Sequence, residues 1–168
     1  VLNQRVSRFL IVVPDALVFQ WFAELYLRFH FQCHLVNEES LLTLEDEEQG
    51  LLAHPFVICP VGQFLNIDWS QESWDMIIAD EVHHIEPKSE VGQQLGELCA
   101  KADHCLLLSA TPPQPEDEQH FQRLQWLDQD RFTSYEDYLN EVKDCRAIAD
   151  LHQQLSGAEP LNQTLLSE

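Results

Sequence analysis

The sequence predicts an α/β fold of three layers, a parallel sheet with helices on both faces. Three observations lead there. Short apolar runs recur at 9–13, 55–60, 76–79 and 104–108, without the alternation of a half-exposed strand, as in parallel strands covered on both sides. Between them lie stretches whose apolar residues recur at helical spacing. Two of the runs stop on polar groups, Asp80-Glu81 and Ser109-Ala110-Thr111. In such sheets the carboxyl ends of the strands open onto the ligand crevice.

Taken in order, residues 8–14 form a buried strand closed by Pro14. A helix follows with Asp15 as its expected N-cap, and Leu17, Trp21, Leu25 and Phe29 lie on one face. Residues 32–36 read as a second short strand. Residues 38–48 are rich in acids and hold no base, the pattern of a solvated helix or loop. Residues 55–60 give a third strand bounded by prolines, followed by a short helix over 61–66. The central strand, 76–79, comes next. Val91, Leu95 and Leu98 mark a helix ending near Lys101, and 104–108 is a further buried strand. Residues 112–118 form a proline-rich acidic turn, and 118–127 reads as helical. The last long helix is expected over 134–155, with Tyr135, Tyr138, Leu139, Val142, Ile148 and Leu151 as its apolar side and Gly157 as its stop. Alternation of this kind implies right-handed crossovers. Residues 158–168 have room for one more short helix.

The chain has 168 residues, 45% of them hydrophobic, enough for one domain with a real core. Its formal charge is -20, from 29 acids against nine Lys and Arg. A surface so acidic repels nucleic acid at long range, so any contact with it must be local. The five cysteines are scattered, with no C-x-x-C pair, as in a reduced cytosolic protein. No leader and no apolar run of about 18 residues is present, so nothing places the chain in a membrane. It opens on Val1 and enters structure almost at once, which reads as a piece of a longer protein.

Adjacent carboxylates at a strand's end suit phosphoryl transfer on a magnesium nucleotide. Asp80 would hold the ion through its water shell, because magnesium dehydrates reluctantly. Glu81 would orient the attacking water, since this chemistry is largely positioning and electrostatics. The plain alternative is that the pair caps a following helix. His30, Cys33 and His34 form an H-x-x-C-H cluster, without the fourth ligand a structural zinc site wants. His83 and His84 also lack a third partner at metal spacing. The four tryptophans read first as core or interface anchors, and Ser109 sits in no G-x-S-x-G elbow.

Several motifs coincide with one family. Asp80-Glu81-Val82-His83 is similar to the D-E-x-H signature of superfamily-two helicases and translocases, and Ser109-Ala110-Thr111 looks like their third motif. Val13-Pro14 with Leu17, Gln20 and Trp21 resembles the V-P-x-x-L-x-x-Q-W segment of the Swi/Snf branch, and Ile58-Cys59 sits where the next motif opens. The stretch from Leu106 through Pro112, with His120-Phe121, Arg123-Leu124, Leu127-Asp128 and Arg131-Phe132, resembles the bacterial RNA-polymerase-associated members of that branch.

The resemblance implies a RecA-like, P-loop NTPase type of sheet truncated at its N-terminal side. Residues 1–155 would be part of the first, ATP-binding lobe, and 156–168 an extension toward a second RecA-like lobe. ATP and Mg2+ would be the cofactors of the intact parent. Asp80 would hold magnesium, Glu81 would activate water and His83 would link the nucleotide site to the partner lobe. Ser109, Ala110 and Thr111 would couple nucleotide state to lobe movement, and Pro14, Gln20 and Trp21 would lie along the nucleic-acid side. The parent would be a cytoplasmic, nucleoid-associated bacterial ATPase that translocates on duplex DNA and recycles RNA polymerase.

Three departures accompany the matches. None of the five glycines precedes a lysine, so the chain has no G-x-x-x-x-G-K-[ST] loop, the element that cradles phosphates. In the family that loop lies upstream of the Val13-Pro14 segment. Val82 stands where alanine is usual, and Pro60-Val61-Gly62-Gln63 replaces a serine-containing continuation. A different class of function also fits the composition: an acidic protein-interaction domain on a RecA-like scaffold with no working nucleotide site.

Overall fold

The computed structural model describes residues 6–38, 54–111 and 114–157. Five strands form one parallel sheet: β1 (Phe9–Val13), β2 (His34–Leu35), β3 (Phe56–Pro60), β4 (Met76–Ala79) and β5 (His104–Leu107). Their order across the sheet is β2-β3-β1-β4-β5. Four full helices accompany it among the described residues: α1 (Val18–Phe29), α2 (Glu90–Lys101), α3 (Glu118–Leu127) and α4 (Tyr135–Gly157). The expected parallel α/β architecture is the one observed.

Strand β1 sits at the centre, pairing Ile11 with Ile58 on one side and Ile78 on the other. Its five residues are all buried, and successive side chains enter two different cores. Leu10 and Val12 join Val57, Cys59, Ile77 and Ala79 in a core closed by Phe64, Trp69, Leu95, Leu98 and Trp126. Phe9, Ile11 and Val13 join Ile58 on the opposite face, where Val18, Trp21, Phe22 and Leu25 of α1 cover them. Burying a Leu, Ile or Phe contributes about 1.5–3 kcal/mol. Leu10, Ile11, Ile58, Phe64, Ile77 and Leu95 are all fully buried, so these two layers fix the strand register.

Local signals place the ends. Ser89 Oγ accepts from Gly92 N at 3.1 Å and caps α2, while Asp117 Oδ1 accepts from Gln119 N at 2.9 Å and caps α3. His30 closes α1 in the left-handed conformation at φ 58°. The helix expected over 61–66 is a 3-10 segment, Val61–Asn66.

Three expectations are corrected. Asp15 does not cap α1: a 3-10 turn, Asp15–Leu17, precedes the helix, and the Asp15 carboxylate instead accepts from Gly62 N at 3.0 Å. The second strand is confined to His34–Leu35, where it reaches β3. In α4, Ile148 and Leu151 are exposed, because only the N-terminal part of that helix packs, with Tyr138 buried beside Phe121. Most of the acidic run at 38–48, the prolines 112 and 113 and the segment 158–168 lie outside the described residues.

Candidate active site

The carboxyl ends of β1, β4 and β5 meet through backbone bonds. Asp80 N donates to Val12 O at 2.9 Å, and Leu108 N donates to Ala79 O at 2.8 Å. The chain then turns sharply. Glu81 is left-handed at φ 49°, ψ 41°, a conformation that costs a non-glycine residue on the order of 1–3 kcal/mol. The turn lets Val82 N reach Leu108 O at 2.9 Å and starts the 3-10 segment Val82–His84. Strain of this kind is held where surrounding contacts over-determine it, and here both strands do so.

The side chains that the turn carries converge with those that follow β5. Glu81 Oε2 accepts from Ala110 N at 3.2 Å and lies 3.2 Å from His83 Nδ1. Ser109 Oγ lies 3.1 Å from the same His83 nitrogen. The Ser109 hydroxyl donates to Thr111 O at 3.2 Å and accepts from Thr111 N at 3.3 Å. Which of Ser109 Oγ and His83 Nδ1 donates in their contact follows from the tautomer of the ring. His83 Nδ1 thus stands within reach of both Ser109 Oγ and Glu81 Oε2. Asp80, Glu81, His83, Ser109, Ala110 and Thr111 thus form one connected group.

Asp80 is held on both oxygens. Glu81 N donates to Oδ1 at 2.8 Å, and the Trp21 indole N–H donates to Oδ2 at 2.7 Å. Trp21 therefore faces the carboxylate from α1. Pro14 is half-buried at the end of β1, and Gln20 is exposed. Among the described residues no hydrogen bond joins Gln20 to the carboxylates. The pair does not cap a helix through its side chains: no side-chain bond caps the 3-10 segment that follows.

A cavity of about 400 Å³ lies elsewhere, against Trp69 and Leu98, while one of about 780 Å³ adjoins the connected group. Val82, His83, Ser109, Ala110 and Thr111 form one wall of the larger, and His120, Arg123 and Leu124 of α3 form the other. Arg123 was not singled out by sequence reasoning as a site residue. Its Nη2 donates to Ile85 O at 3.1 Å, His83 O at 3.4 Å and Gln119 Oε1 at 3.2 Å, so it anchors the turn after Glu81. Burial holds both His120 and Arg123 below their usual pKa ranges, with their mutual repulsion adding to the effect at His120. A base kept inward in a chain with nine Lys and Arg was the available signal.

Among the described residues no group of three or more His, Cys, Asp or Glu could hold a metal. His30, Cys33 and His34 do not converge: His34 stacks on His54 with centroids 4.2 Å apart, and burial pushes the Cys33 thiol up to about 11. Asp80 offers a hard carboxylate on a fixed frame. One or two carboxylates plus substrate phosphates is how magnesium is usually bound, so the donor set fits that ion better than an all-protein cage.

A family model of the SNF2-related domain matches residues 3–167. The chain belongs to the SNF2-related domain family. Relatives of this SNF2-related domain include RNA polymerase-associated protein RapA of Actinobacillus pleuropneumoniae serotype 3, 35% identical over 94% of this chain and 18% of that protein. RapA of Yersinia enterocolitica is 36% identical over 99% of this chain and 18% of its own length. The chain thus spans 18% of the length of these relatives. Among solved structures, the Sulfolobus solfataricus SWI2/SNF2 ATPase core in complex with dsDNA matches with a TM-score of 0.63 and 18% identity, over 81% of this chain and 28% of that one. The same core described without DNA matches equally, with a TM-score of 0.63. At that identity the likeness carries the fold, and the SNF2-related domain is RecA-like. No helix of the described residues is long and apolar enough to cross a membrane.

Proposed function

We propose that this SNF2-related domain works within the first RecA-like lobe of an ATP-hydrolysing translocase that acts on duplex DNA and associates with RNA polymerase. The observation that carries the reading is the joining of Asp80-Glu81 to Ser109-Ala110-Thr111 through His83. Residues 1–155 form the lobe in this reading, 156–168 lead toward a second lobe, and the phosphate-cradling loop is contributed from outside the 168 residues. The protein works in the bacterial cytoplasm, at the nucleoid, in recycling RNA polymerase.

Each group then has a task. Asp80, steadied on both oxygens, would hold the magnesium ion through the ion's water shell. A bound magnesium ion would supply charge neutralisation for the phosphates. Glu81, held by Ala110 N, orients the attacking water and takes up its proton. His83 Nδ1 touches both Glu81 Oε2 and Ser109 Oγ, so a change at the carboxylate is felt after β5. Pro14, Gln20 and Trp21 belong to the side that meets nucleic acid. With a charge of -20 that contact is local.

The test is Glu81→Gln in the full-length protein that carries this domain. Magnesium-dependent ATP turnover is expected to fall by roughly 10²- to 10⁴-fold while nucleotide binding survives. The isolated 168-residue chain is expected neither to hydrolyse ATP nor to bind it tightly. Normal turnover in the variant would remove Glu81 from the mechanism. A wild-type full-length protein without turnover would favour the second reading, an acidic domain that docks on a basic partner, which the net charge supports.

A further inference from the structure

The Trp21 N–H is spent on Asp80, 59 residues away in sequence, and placing Trp21 along nucleic acid does not account for that. Other indoles in this fold show that a carboxylate is not needed. Trp69 Nε1 donates to Phe64 O at 2.8 Å, and Trp74 Nε1 is buried with no hydrogen-bond partner. The Trp21 ring is already held by packing, half-buried against the core cluster on that face of the sheet. Its edge is aimed at the one carboxylate that the proposed chemistry assigns to a metal.

The two bonds to Asp80 are complementary. Glu81 N takes Oδ1 and the indole takes Oδ2, one donor on each oxygen. A carboxylate has about four acceptor sites, so each oxygen keeps one for further use. The backbone donor is local and comes with the strand end. The indole is a donor only, comes from α1, and stops rotation of the carboxylate about its Cβ–Cγ bond.

We propose that Trp21 is a positioning residue for Asp80: its indole N–H holds the carboxylate in the orientation that receives the magnesium ion of a bound nucleotide. This rests on the ATPase reading above. Groups that orient a metal's ligands typically change metal affinity or activity by roughly 10- to 100-fold when removed. Trp21 reaches the metal only through Asp80, so its loss weakens the magnesium-dependent part of nucleotide binding and leaves the rest.

The experiment measures binding of a fluorescent ATP analogue to the full-length protein, once with Mg2+ and once with EDTA. The ratio of the two affinities is the magnesium gain. Trp21→Phe and Trp21→Leu both lack the N–H but pack differently, and whichever keeps the wild-type melting profile supplies the reading. The gain is expected to shrink roughly tenfold or more, with the EDTA affinity unchanged. In an Asp80→Asn background the same substitution should change the gain no further, because the indole acts only through that carboxylate. A folded variant with an unaltered gain overturns the role of Trp21. A wild-type protein with no magnesium gain at all overturns the ATPase reading instead.

Discussion

Ser109 Oγ and His83 Nδ1 stand 3.1 Å apart, joining the segment after β5 to the turn after β4. A proton on His83 Nδ1 has two acceptors within reach, Ser109 Oγ and Glu81 Oε2. Ser109→Ala removes one of the two acceptors for that proton and leaves Glu81 as the other. One net hydrogen bond contributes about 0.5–1.5 kcal/mol, so turnover by the full-length protein is expected to fall roughly 2- to 10-fold with nucleotide affinity unchanged. Nitrogen-15 spectra of the His83 ring check the premise on the wild type. A proton on Nε2 alone would show that the serine is not accepting from it.

Arg123 stabilises the same turn from the opposite side. Its Nη2 reaches the carbonyls of His83 and Ile85, and truncation leaves both without that donor. Hydrogen bonds from a charged group contribute about 1.5–3 kcal/mol, and partial exposure brings the expectation for Arg123→Ala to the lower end. Urea unfolding of the variant should show a lower midpoint at an unchanged slope. Arg123→Lys keeps the charge, but its ammonium sits on a stem one atom shorter than the reach to Nη2 and should recover only part of the loss. Equal stability of wild type and Arg123→Ala would mean that the turn is held by its strand bonds alone.

The strands were legible because each is a continuous apolar run, and a run such as Phe9–Val13 admits few other fates once prolines and turns bound it. The acid pair and the Ser-Ala-Thr segment were legible because polar residues that end buried strands stand out against them. Trp21 read as an apolar position on α1 and, through the resemblance, as a residue of the nucleic-acid side; its ring does pack on the core of that face, while its N–H finds an acid 59 positions on. No local periodicity encodes such a pairing. Asp15 failed as a cap for the same reason, since Gly62 N, 47 residues away, claims its carboxylate. The apolar positions Ile148 and Leu151 show the converse limit, for helical spacing marks a face but not what covers it.

Asp75 gives the fold a pH dependence of known sign. Its Oδ2 accepts from the backbone N–H groups of Ser7 and Arg8, the latter at 3.0 Å, and so ties the entry of β1 to the entry of β4. These bonds, with the Arg8 charge adding to them, hold its carboxyl below the ordinary value of 3.8. A carboxylate depressed in the folded state stabilises fully above its unfolded pKa, and that contribution is lost as pH falls through the folded one. Asp75→Asn keeps the size and one acceptor but not the charge. The wild type should therefore exceed the variant in stability at neutral pH, and the gap should close as pH drops below about 4. Comparing urea midpoints of the two proteins at pH 7 and pH 3 isolates this group, because the other carboxylates titrate alike in both. The group is only half-buried, so added salt should narrow the neutral-pH gap as well. A gap of equal size at both pH values would show that Asp75 acts through its shape and not its charge.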